Sequence, residues 1–171
     1  MILLTIQSNN TKSQKGFTLV ELIVVISVMG VLSFLGVAGL YEYSKVQTLQ
    51  NAAKDVVSVL NLAKSRALSQ VRPSVSICAA SGVLNGYLVI LASSGGGPIN
   101  IYRLRINCGG IIRTILTRTL PKNIVFTQNQ SFFFPILTGG ATAGTIVIQG
   151  YGGSIPNKTI IIDARGVIKI Q

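Results

Sequence analysis

Residues 15–40 read KGFTLVELIVVISVMGVLSFLGVAGL, and the organisation of the chain rests on them. No charged side chain occurs in residues 22–41. At 1.5 Å of rise per residue such a run spans about 30 Å as a helix, the hydrocarbon thickness of a bilayer, and so predicts a membrane helix. Lys12 and Lys15 precede it, and positive charge in a short flanking segment holds that end in the cytoplasm and sends the rest of the chain outward. Glu21 is the residue out of place. A carboxylate near the middle of a bilayer costs about 2.5 kcal/mol or more, so it needs a partner or a task.

An ordinary secretory signal also starts with basic residues, and Gly36-Val37-Ala38 has the small-x-small pattern of a cleavage site. The apolar core of such a signal is usually about 7 to 15 residues long, however, and carries no acid. The stretch resembles instead the class III signal of type IV pilins and pseudopilins: a short basic leader ending in Gly16, then Phe17-Thr18-Leu19-Val20-Glu21-Leu22 without a gap. That resemblance implies a prepilin peptidase that cuts between Gly16 and Phe17 on the cytoplasmic side and methylates the new terminus. The cut creates a cation, the Phe17 amino group, four residues or one helical turn from Glu21. In a filament, as the resemblance implies, the amine of an incoming subunit pairs with Glu21 of its neighbour and sets the axial register.

Beyond the span the helical pattern continues. Val46, Leu49, Ala53, Val56, Leu60, Ala63 and Ala67 recur three and four apart and form one apolar stripe, while Lys45, Lys54, Asn61 and Lys64 fall away from it. The helix is expected to reach about Gln70 and to stop at Arg72-Pro73. After Pro73 come short β-branched runs separated by turn residues, predicting strands at 75–79, 86–92, 99–106, 111–120, 124–127, 145–149, 159–163 and 167–170. Asn107-Cys108-Gly109-Gly110 is the expected hairpin turn between the two longest. The fold class is therefore α+β: a long amino-terminal helix packed on a mostly antiparallel β domain, which the resemblance to type IV pilins and pseudopilins implies is sandwich-like. The chain divides into four segments: a leader at 1–16, a membrane and assembly helix at 17–41, an amphipathic helix at 42–72 and a β-rich domain at 73–171.

Composition limits the chemistry. The chain of 171 residues is 49% hydrophobic and only 11% charged, with a mean hydropathy of +0.58, more apolar than a typical soluble domain. It contains no histidine, which removes the usual general base, the Ser-His and Cys-His arrangements and most zinc sites. Of the four acids only Asp163 lies in the β region, so a paired-carboxylate centre cannot be assembled there. Three glycine clusters lack the helix and Lys-Ser/Thr pair of a phosphate loop. Neither enzymatic activity nor a metal or cofactor is expected. Cys78 and Cys108 are the only cysteines; in an exported chain they form one disulfide or remain two buried thiols. A bridge would close a loop of about 31 residues, roughly 3 to 4 kcal/mol of stabilisation in the chain-entropy model.

Fifteen Lys+Arg against four Asp+Glu give a net charge of +11, which attracts anionic partners. Arg103 and Arg105 alternate in IYRLRI and should share one strand face opposite Tyr102, Leu104 and Ile106. Arg113, Arg118, Lys122, Arg165 and Lys169 add charge from other strands or their ends. Gathered on one surface, such residues would bind DNA phosphates in a salt-dependent way.

Outside the leader, the segments AKSRALSQ, VSIC, NGYLVIL, LPKNIVF and KTIIIDARGVIKI resemble, in that order, the minor pseudopilin H class of type II secretion and the minor pilin T class of type IV pili. This implies an assembly subunit at the tip or initiation point of a filament, held in the inner membrane with its globular domain outside. Its implied partners are other pilin or pseudopilin subunits, prepilin peptidase and the inner-membrane assembly platform. Some T-class members take up DNA through a Gly-Arg-x-Arg element. The matching positions here are Gly166-Val167-Ile168-Lys169, with the first arginine absent and a lysine for the second. DNA binding through Arg103, Arg105, Arg165 and Lys169 is the alternative reading, and a signal-anchored envelope enzyme the third.

Overall fold

The structure, a computed structural model, describes residues 16–72, 82–93 and 95–171; the side chains of residues 34–38 lie outside that description, as does the strand expected at 75–79. The chain divides into two compact units, Met1–Tyr41 and Glu42–Gln171. One helix, α1 (Leu19–Leu68), crosses the boundary.

In the first unit α1 is apolar all round from Leu22 to Ile26. Leu22, Ile23, Val24, Val25 and Ile26 are consecutive, so they point in every direction about the axis, and each is at least 45% exposed. The hydroxyls of Ser27 and Ser33 donate back to the carbonyls of Ile23 and Met29 at 2.8 and 2.7 Å, which satisfies them without water. Among the described residues no helix is long and apolar enough to cross a membrane. The span expected at 22–41 takes in residues 34–38, and 22–33 alone reaches only about 18 Å.

In the second unit α1 buries Leu49, Ala52, Ala53, Val56, Val59, Leu60, Ala63 and Ala67. The expected stripe is present but displaced: Val46, one turn before the first covered position, remains 39% exposed, and Ala52 and Val59 join the core. The buried face is wider than a single row because both sheets contribute to the same core cluster. The helix ends at Leu68 with a left-handed Gln70 (φ 50), the Val71 N–H reaching the Arg66 carbonyl at 3.2 Å and the Gln70 N–H that of Ala67 at 3.4 Å. This Schellman closure satisfies carbonyls that a helix end leaves open, two residues before Arg72.

Among the described residues eight strands come after the helix: β1 (Leu84–Ser93), β2 (Ile99–Cys108), β3 (Ile111–Thr119), β4 (Ile124–Phe126), β5 (Gln130–Pro135), β6 (Gly144–Gly150), β7 (Lys158–Ile162) and β8 (Ile168–Ile170). They form two antiparallel sheets, β3-β2-β1-β5 and β4-β6-β7-β8. An edge-to-face contact between Tyr102 and Phe126, centroids 6.0 Å apart, joins the two sheets in the core. β5 is absent from the sequence expectation. Its three phenylalanines sit between polar residues and Pro135, a composition that reads as loop; the strand is tolerated because β5 is an edge, where a missing N–H breaks no ladder. The β2–β3 turn forms at Gly109-Gly110, both at positive φ (57 and 89), with Asn107 Oδ1 accepting the Gly110 N–H at 3.1 Å.

Candidate functional site

The amino end is built around Thr18. Gly16, Phe17 and Thr18 lie outside regular structure and α1 begins at Leu19. The Thr18 hydroxyl accepts the Glu21 N–H at 3.2 Å, and its carbonyl accepts the first helical bond from Leu22 at 3.2 Å. Thr18 is thus the N-cap and Glu21 the third helical residue, the Thr-x-x-Glu spacing of a capping box. A carboxylate in the first turn also suits the positive end of the helix dipole. Glu21 is exposed and makes no ion pair among the described residues. The Gly16–Phe17 bond therefore lies in non-helical backbone two residues ahead of the helix, with Phe17 81% exposed.

Residues 11–37 match the family model of the prokaryotic N-terminal methylation motif. The amino end is a class III prepilin signal. Signal and α+β fold together make the chain type IV pilin-like. A signal of this kind implies processing by prepilin peptidase, anchoring through the amino-terminal helix and assembly with other pilin subunits. No curated protein and no solved structure matches the chain.

In the globular unit of this pilin-like chain, Arg103 and Arg105 lie on the face of β2 opposite the buried Tyr102, Leu104 and Ile106. Arg165 is exposed in the β7–β8 turn and Lys169 on β8, both belonging to the other sheet. Cys108 is buried and disulfide-bonded; Cys78 lies outside the described residues. No group of three or more His, Cys, Asp or Glu side chains among the described residues could hold a metal ion.

The structure also assembles a cluster that sequence reading missed. Asp55 on α1 accepts from Arg118 Nη1 on β3 at 2.7 Å and from the Tyr102 hydroxyl on β2. Burial, with the Asp55 carboxylate beside it, pushes the Tyr102 phenol well above its usual range. A cleft of about 290 Å³ opens beside the cluster, with Thr48, Asn51, Thr119 and Pro121 on its walls. The Asp55 carboxylate on its wall is held by Arg118 and Tyr102, so the cluster fastens helix to sheet. Opposite it along the helix, Lys64 donates to the Gly166 carbonyl at 2.8 Å, and Tyr87, whose hydroxyl burial also raises, donates to the Val71 carbonyl.

Proposed function

We propose that the chain is a minor pilin or minor pseudopilin, a non-enzymatic subunit of a type II secretion or type IV pilus-like filament. Prepilin peptidase cuts it after Gly16 and methylates the Phe17 amine. The processed chain is stored in the inner membrane through residues 17–41, with the globular unit on the outer side, and the assembly platform then moves it into the tip or initiation complex. The observation that carries this reading is the uninterrupted signal at 11–37. The Thr18 cap supports it by leaving the Gly16–Phe17 bond outside the helix. Once cut, the chain carries a cation one turn from a carboxylate that makes no ion pair among the described residues, and an apolar helix too exposed to be stable in water.

Glu21→Val tests it. Leader removal and recovery with membranes should be unchanged, while the variant disappears from isolated filaments or from pull-downs of the assembly; normal incorporation would overturn the role of Glu21. DNA binding is the second reading, supported by the basic excess of the globular unit. Removing Lys12 and Lys15 from the fifteen Lys+Arg leaves thirteen, and removing Glu21 from the four acids leaves three. The unit from residue 42 onward, which contains the whole described core, should then shift DNA at low salt and lose the shift in Arg103→Ala/Arg105→Ala or Lys169→Ala. No shift at low salt removes this reading.

A further inference from the structure

The outer face of the first sheet carries two lateral rows of side chains. Phe133, Leu88 and Arg105 stand side by side on β5, β1 and β2, and Ser131, Ile90 and Arg103 form the next row. Except for the exposed Ser131 all are partly buried. The Phe133 ring lies over Gly86, where any side chain would come within 2.8 Å of two ring carbons. The face is therefore an apolar strip bordered by two arginines whose backbone positions are about 7 Å apart along one strand.

Neither arginine makes an ion pair among the described residues, and the buried Nε of Arg105 has no hydrogen-bond partner there. Arg118, on the opposite face, is held by Asp55. Arginine with an aromatic and aliphatic surround is the composition of an interface centre, where its apolar stem packs and its donors meet a carboxylate.

Charge selects the occupant. In a second copy of this globular unit Glu42 is bonded to Lys45, Asp55 to Arg118 and Tyr102, and Asp163 accepts the Val167 N–H. Its three acids are all engaged, and thirteen bases would face thirteen. A nucleic-acid backbone gains affinity from each added cation, whereas this face has two, and Leu88, Ile90 and Phe133 favour apolar side chains from the partner.

We propose that this face receives the acidic globular unit of a different subunit of the same assembly, with carboxylates on Arg103 and Arg105 and apolar side chains over Leu88, Ile90 and Phe133. The proposal rests on the assembly reading above. It is tested in cells with the full chain carrying a photo-crosslinking residue in place of Ile90. The expected adduct is with a different chain that has its own prepilin signal and an acidic globular unit. Arg103→Glu/Arg105→Glu should lower its yield at least ten-fold, and changing a facing carboxylate of that partner to arginine should restore it, which also shows that the variant folds. An adduct between two copies, a nuclease-sensitive adduct, no adduct, or one indifferent to the arginine reversal would each overturn the proposal. Leader removal is monitored in the same samples. An unprocessed parent chain sinks the assembly reading itself, while normal processing without the adduct sinks only this surface.

Discussion

The two halves of α1 obey different rules. In the first unit the helix has side chains such as Leu22 and Ile26 exposed in every direction. In the second unit the same helix buries Leu49 to Ala67 on one face and exposes Lys54 and Asn61 on the other. An apolar residue stabilises the fold only where the chain supplies its cover. The second half carries its own cover in two sheets, whereas the first has none among the described residues.

Paired truncations break this contrast most directly. Leu60→Ala empties a fully buried site and should lower the denaturation free energy of the full chain in detergent by about 2–5 kcal/mol. Leu22→Ala should leave the same transition in place; an equal loss would mean that the first half also packs on its own chain. A smaller effect is expected at the point where helix meets sheet. The Tyr102 phenol titrates above its free value, so its contribution is fully present below pH about 10 and is lost as the pH rises through the raised folded value. Tyr102→Phe should cost about 1 kcal/mol near neutrality and flatten the alkaline decline of stability. An unchanged alkaline arm would mean that the hydroxyl is solvated in the native state. Smallest is Thr18→Ala, which removes the N-cap at a cost of about 1 kcal/mol, felt only in the first turn. Amide exchange at Leu19 to Leu22 should quicken while that of the core strands stays constant.

Much of this was legible because local chemistry decided it. The prepilin signal is a contiguous string, the amphipathic half shows its period directly, and seven strands stand where β-branched runs lie between turn residues. β5 escaped because aromatic residues between glutamines and a proline do not alternate in polarity. The Asp55–Tyr102–Arg118 cluster escaped for a subtler reason. Counting back from the Gly109-Gly110 turn pairs Tyr102 with Thr117, but a register shift between Leu104 and Arg105 makes it Arg118. One extra residue, Ile115, moves Arg118 from the outer face to the helix side, where Asp55 meets it. Strand period alone carries no sign of a bulge. The same shift gives Arg103 Thr117 as its β3 neighbour, next to the Thr114 that faces Arg105.

The closing turn of α1 has a mechanical consequence. From Leu49 to Ala67 the buried face runs about 27 Å along the helix axis, and its end is tied crosswise by Lys64 to Gly166, by the Leu137 N–H to the Ala67 carbonyl and by Tyr87 to Val71. Tension applied along this half of the helix would load the whole interface in shear, all layers resisting together, whereas a sideways pull would peel them one at a time.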